Sequence, residues 1–171
     1  MNKKLIFTVI SFLMIFQLHS EPVSSEWGAG AASADKNLTI EDMLNYAVQD
    51  EYLARAEYEA IIGKFGSQKP FSNIIKSEES HIAWLKDAFK DQGLAMPADR
   101  AKEYIVVPAS LKEAFQTGVT AEIENIKMYE TFIASELINR PENSSLKSLF
   151  IRLRDASKNH LSAFKNGLAR Y

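Results

Sequence analysis

The sequence predicts an all-α chain whose body is a four-helix bundle made of two antiparallel helical hairpins joined by a long crossover. Three observations carry this: four long segments with apolar residues every three or four positions, a short Gly- or Pro-marked connection inside each pair, and a connection of about 16 residues between the pairs. Of 171 residues, 46% are hydrophobic and 25% charged, a globular composition. The length is that of one domain at the usual ~100 to 200 residues.

The N-terminus reads as a secretory signal over residues 1–20. Lys3 and Lys4 form the basic region, Leu5 to Phe16 the apolar region, and Gln17 to Ser20 the polar end. The apolar run is shorter than the about 20 residues a membrane span needs. A retained N-terminal anchor is the competing reading, because Leu18 is a poor residue three places before a cut after Ser20. Cleavage there removes two lysines and no acid, so the formal net charge of −2 becomes −4. It also removes His19, leaving His81 and His160 in a periplasmic or secreted protein with no membrane attachment. Residues 21–37 are rich in Ser, Ala and Gly without an apolar period and read as a flexible leader, with Trp27 docking loosely.

Residues 38–171 carry the helices. The first runs over about 40–65: Thr39 and Asp42 resemble a capping box, Leu44, Ala47, Val48, Ala54, Tyr58, Ile61, Ile62 and Phe65 form one stripe, and Gly63 and Gly66 stop it. The second starts at Pro70, suited to a first turn, buries Phe71, Ile74, Ile75, Ile82, Leu85 and Phe89, and ends before Gly93. The third opens on a capping box, Ser110 with Glu113, and runs through Phe115, Val119, Ile126, Tyr129, Ile133 and Leu137 to Asn139, where Pro141 breaks the chain. The fourth follows from about Ser144 and buries Leu146, Leu149, Phe150, Leu153, Leu161, Phe164 and Leu168. The crossover, Gly93 to Ala109, can span roughly 53 Å when extended, against a helix length of roughly 36 Å, so it reaches the opposite end of the bundle. Its Tyr104-Ile-Val-Val107 run suits a short extended stretch packed on a helix pair.

Composition removes several chemistries. Without cysteine there is no disulfide, thiolate zinc site, cysteine-ligated iron–sulfur cluster or Cys nucleophile. Twenty Lys plus Arg against 22 Asp plus Glu gives no basic field for nucleic acid.

What remains lies on the stripes themselves. Burying an unpaired carboxylate costs several kcal/mol, yet each stripe is interrupted by polar groups. The first carries Glu51, the second Glu78 and His81, the third Glu122, and the fourth Ser157 and His160. The interruptions repeat. Glu51 and Tyr58 have the spacing of Glu122 and Tyr129, while Phe71, Ile74, Glu78 and His81 are matched in order by Phe150, Leu153, Ser157 and His160. Two hairpins with one register imply a pseudo-two-fold bundle, with both histidines on equivalent positions.

This pattern resembles the ferritin-like di-metal carboxylate proteins, in which two helices each give one Glu and two others each give a Glu-x-x-His pair. Glu51, Glu78-Glu-Ser-His81 and Glu122 fit it, and the bundle is accordingly expected to be a ferritin-like one. More narrowly, Leu38 to Tyr171 looks like the uncharacterised prokaryotic ferritin-like family called domain of unknown function 2202, to whose ending Ala156-Ser-Lys-Asn-His160-Leu-Ser-Ala-Phe164 is similar. That family implies a fold and brings no established reaction.

The resemblance implies a metal ligand set of Glu51, Glu78, His81, Glu122 and His160, with Ser157 standing where a complete site has Glu. Carboxylate plus imidazole suits one or two ions of Fe or Mn, with Zn also compatible. Asn125, or a water held by Ser157, is a candidate to fill part of the gap beside His160. Tyr58 and Tyr129 read as donors to ligand carboxylates, as redox-active phenols, or as core tyrosines with satisfied hydroxyls. Glu57, Glu59, Glu79, Glu124 and Glu130 fall off the stripes and read as solvated.

The leading functional expectation is an exported protein with a degenerate di-metal site, binding metal ions and acting on O2 or peroxide. Without CxxC there is no rubredoxin-like module in this sequence, and helix four ends too near Tyr171 for the short fifth helix of cage-forming ferritins. The alternatives are a non-catalytic helical envelope module, its polar groups forming a metal-free network and its surface binding a protein partner, and a periplasmic metal scavenger or chaperone.

Overall fold

A computed structural model describes residues 27–171. The signal sequence and the start of the leader lie outside these residues. Five α-helices follow in order: α1 Gly28–Ala34, α2 Ile40–Phe65, α3 Phe71–Asp91, α4 Leu111–Ala134 and α5 Ser144–Leu168, with single 3-10 turns at Ala101–Glu103 and Pro141–Asn143. Among the described residues there is no strand, and no helix is long and apolar enough to cross a membrane.

The helix ends follow local chemistry. At the start of α2, Thr39 Oγ1 accepts from Asp42 N–H at 3.1 Å while Asp42 accepts from Thr39 N–H at 2.9 Å, closing a full capping box. At α4, Ser110 Oγ accepts from Glu113 N–H and Glu113 accepts from Ala109 N–H, one residue before the usual partner. Gly93, at φ 66°, closes α3: Leu94 N–H donates to Phe89 O and Gly93 N–H to Lys90 O, the paired bonds of a Schellman end.

Three segments differ from the sequence expectation. The third long helix ends at Ala134 rather than Asn139. There Ser135 Oγ accepts from Ile138 N–H, and the Asn139 side chain donates to the carbonyls of Ile133 and Ser135. These local bonds compete with the helix and turn Ile138 into the core. The crossover run Tyr104–Val107 is not a packed extended stretch, since Val106 and Val107 face solvent and Tyr104 and Ile105 alone touch the core. Finally, the leader contains α1. Its Trp27 ring stacks on Tyr104 at 4.7 Å, Gly28 N–H donates to Gln49 Oε1, and Ala29 N–H donates to Asp50 Oδ1. A seven-residue helix of Gly, Ala and Ser has too little apolar period to be seen in sequence, and tertiary contacts hold it.

α2 pairs with α3 and α4 with α5, each as an antiparallel hairpin, and the crossover joins the pairs. Close approach within the second pair depends on glycine. A Cβ on Gly167 would stand 2.1 Å from the Phe115 ring, and one on Gly118 would stand 2.9 Å from the Phe164 ring. Each helix thereby seats the other's phenylalanine.

The apolar core is divided. One cluster gathers Leu44, Val48, Leu85, Phe89, Phe132, Phe150 and Leu153, and the other gathers Ile61, Phe71, Ile74, Phe115 and Phe164. Between them, midway along all four long helices, lies a polar layer.

Candidate metal centre

The polar layer is built by helical period. Glu51 on α2, Glu78 and His81 on α3, Glu122 on α4, and Ser157 and His160 on α5 occupy inward positions that apolar residues hold one or two turns away. All six are buried, and burial of the five titratable ones ranges from 1% exposure at His81 to 8% at His160. The structure thus brings together every ligand that the sequence suggested.

Two groups of three result, sharing one carboxylate. Glu51, Glu78 and His81 offer ligand atoms within 4.8 Å of one another, and so do Glu78, Glu122 and His160. His81 Nδ1 lies 2.9 Å from Glu51 Oε2 and 2.9 Å from Glu78 Oε2. His160 Nδ1 lies 3.3 Å from Glu78 Oε1 and 3.4 Å from Glu122 Oε1. Glu78 therefore turns one oxygen to each half. On the outer side of His81, Nε2 meets Ser77 Oγ at 3.3 Å, the kind of partner that fixes a ligand imidazole's tautomer.

The tyrosines cross between hairpins. Tyr129 on α4 donates to Glu51 Oε1 at 2.6 Å, and Tyr58 on α2 donates to Glu122 Oε1 at 3.1 Å. Burial and the neighbouring carboxylates push both phenols well above their ordinary pKa, so they are neutral donors that orient the two single glutamates. Of the roles open in the sequence, this geometry favours the donor.

Charge in the layer is concentrated on few groups. Burial raises Glu51 to about 7, with the Glu78 charge adding to the effect. Burial also raises Glu122. For Glu78, hydrogen bonds from His160 and His81 outweigh burial and hold it below the usual carboxylate range. The histidines go the other way. Their own desolvation opposes the charge, but the facing carboxylates raise His81 to about 10 and His160 to about 9. The facing carboxylates thus favour positive charge at both imidazoles. Three carboxylates and two imidazoles converging on two points form a donor set that suits Fe, Mn or Zn.

Ser157 marks the one break in the symmetry. Its hydroxyl has one proton for two acceptors, Asn125 Oδ1 at 2.6 Å and Leu153 O at 3.1 Å, and Asn125 Nδ2 donates to Asp50 Oδ2. Both ends of the Asn125 amide are engaged, one by Ser157 and the other by Asp50. Beside it lies a cavity of about 20 Å³, lined by Asp50, Glu51, Ala54, Tyr58, Glu78, Ala121, Glu122, Asn125 and Ser157, large enough for one water. A far larger groove of about 800 Å³ runs between α1 and α4 but touches none of the ligand candidates.

Two acids depart from what period alone suggests. Asp50 carries no signal in the sequence, yet it faces the cavity and anchors α1; burial raises it to about 6, against the hydrogen bonds from Asn125 and Ala29. Glu57, read as solvated, is half-buried, and burial with the nearby Asp50 raises it to about 7. Asp50 sits between helices, with Ala29 of α1 and Asn125 of α4 as its partners. Glu59, Glu79, Glu124 and Glu130 are exposed, as their places off the stripe suggest.

Among known proteins, the family model described as Rubrerythrin matches residues 42–168, well over half of the chain. No curated protein and no solved structure gives a significant match.

Proposed function

Because the chain belongs to the rubrerythrin family of ferritin-like helical bundles, we propose that it is an exported di-metal carboxylate protein binding iron or manganese, with O2 or peroxide as its oxidant. The observation that carries this reading is the pair of three-residue groups sharing Glu78. Glu51 and His81 would hold one ion, Glu122 and His160 the other, and Glu78 would bridge them. A bound Fe or Mn would supply one-electron redox chemistry.

The chain's own residues set the terms for that chemistry. Tyr129 and Tyr58 hold the single glutamates in place, Ser77 steadies His81, and the two apolar clusters keep bulk water away from both ends of the layer. To hold an ion, His81 and His160 would each give up the proton on the ligating nitrogen. With no cysteine present, the residues given offer no cysteine-ligated cluster to supply electrons.

Export is supported by the basic, apolar and polar succession of residues 1–20, and would put the protein in the periplasm or outside the cell. The narrower placement beside the family called domain of unknown function 2202 is supported by the segment from Ala156 to Phe164.

A second reading has one observation in its favour. Among the described residues no buried side-chain nitrogen or oxygen lacks a hydrogen-bond partner, so the layer is also complete as a metal-free network inside a partner-binding helical module. Thermal melting with and without chelator separates the two. A ligand that binds only the folded state at about 100 times its dissociation constant adds about 2.7 kcal/mol, or about 5 to 10 °C for a chain of this size. A fall of that order on chelation, reversed by Mn(II), supports metal binding; a melting temperature indifferent to both supports the module.

A further inference from the structure

The break at Ser157 leaves the second half of the centre short of charge. Two divalent ions carry four positive charges, and Glu51, Glu78 and Glu122 supply three negative ones. The tyrosines are neutral donors and the imidazoles add none when they ligate. A buried site with one uncompensated charge binds its second ion weakly.

The missing charge is close at hand. Asp50, next to Glu51 on α2, lines the small cavity together with Glu78, Glu122 and Ser157. It is tied to Ser157 through a single side chain, since Asn125 donates to Asp50 Oδ2 and accepts from Ser157 Oγ. Its other oxygen accepts from Ala29 N–H at 2.9 Å, so the carboxylate is held at the cavity from the α1 side. The cavity of about 20 Å³ has room for one water between this carboxylate and Glu122, the single glutamate of the His160 half, with Glu51 and Glu78 also on its wall.

We propose that Asp50 is the fourth carboxylate of the centre: it supplies the charge lost at Ser157 and acts on the ion of the His160 half through one water in the cavity. This rests on the metal-binding reading above. Asp50 is thus a positioning residue, and α1, which holds it, is part of the metal centre's support.

The hydrogen-bond geometry provides a clean test, because Asp50→Asn removes charge without removing bonds. The introduced amide accepts from Ala29 N–H through its oxygen and donates through its nitrogen to a flipped Asn125. The flipped Asn125 then donates to Ser157 Oγ, which still donates to Leu153 O. Folding is therefore preserved while the charge is lost.

Mn(II) is titrated into the chelator-stripped full chain and into Asp50→Asn, Ser157→Glu and the double variant, with the metal-free melting temperature of each as a control for folding. The wild type takes up two ions of unequal affinity. Asp50→Asn keeps the tight ion and weakens the other by about 10- to 100-fold, the usual effect of losing a partner outside the ligand set. Ser157→Glu tightens the weak ion and makes Asp50→Asn silent in the double variant. The proposal is overturned if Asp50→Asn binds both ions as the wild type does, or if its loss persists undiminished in the Ser157→Glu background, which would mark Asp50 as structural. A wild type that takes up no Mn(II) contradicts the metal reading itself, a different failure from either of these.

Discussion

The two halves of the polar layer come from one pattern and differ in how tightly they are drawn. In the half built by the first hairpin, His81 sits 2.9 Å from each of two carboxylates and Tyr129 donates to Glu51 at 2.6 Å. In the half completed by the second hairpin, His160 sits 3.3 and 3.4 Å from its carboxylates and Tyr58 donates to Glu122 at 3.1 Å. The pseudo-two-fold equivalent of Glu78 is Ser157, so Glu78 serves both halves while the second has no bridging carboxylate of its own. One substitution therefore separates a compact half from a looser one within a shared frame.

The most damaging way to disturb the comparison is to remove what the halves share. Glu78→Gln is expected to abolish Mn(II) binding in both and, by breaking a buried ion pair, to cost about 3 to 5 kcal/mol of metal-free stability; calorimetric titration and urea melts check the two effects. Next come the histidines, which should be unequal. His81→Ala is expected to eliminate the tight ion, a loss on the order of 100-fold or more in its affinity, at or beyond the upper end for losing an outer partner. His160→Ala should affect only the weaker ion. Equal effects in the titration would erase the distinction between halves.

The tyrosines sharpen it further. A buried hydrogen bond to a charged group contributes about 1.5 to 3 kcal/mol, so Tyr129→Phe should fall near the top of that range and Tyr58→Phe near the bottom in denaturant melts. The reverse order would show that donor distance does not track the strength of each half.

A separate effect is expected from pH. His81 and His160 stand at about 10 and about 9, above the free imidazole value of 6.5. Raised bases contribute stability that is full below the unfolded pKa and lost as pH rises through the folded one. The metal-free protein should therefore weaken in alkali, the His160 half first. Near neutral pH, metal binding should release protons, so that affinity climbs with pH. Titrations in buffers of different ionisation enthalpy measure that release directly.

Much of this centre was legible in the sequence because its logic is periodic. A glutamate or histidine in the middle of an apolar stripe has to be buried if the helix packs, and the repeat from Glu51 and Tyr58 to Glu122 and Tyr129 placed the two hairpins in register. Helix starts were equally plain, since Thr39 with Asp42 and Ser110 with Glu113 are local chemistry. What escaped was non-local. α1 has almost no apolar period and is held by Gln49, Asp50 and Tyr104, residues distant in sequence. The importance of Asp50 follows from Ala29 and Asn125 on neighbouring helices, and α4 ends early because Ser135 and Asn139 offer the backbone other partners.

If the polar layer holds metal, its first half should be the stronger. The most direct test is elemental analysis of the protein purified from its own compartment, beside His81→Ala purified in the same way. Fe or Mn is expected at about one ion per chain or more, largely lost in the variant. Protein that carries no metal and takes none up on titration would contradict the metal-binding reading.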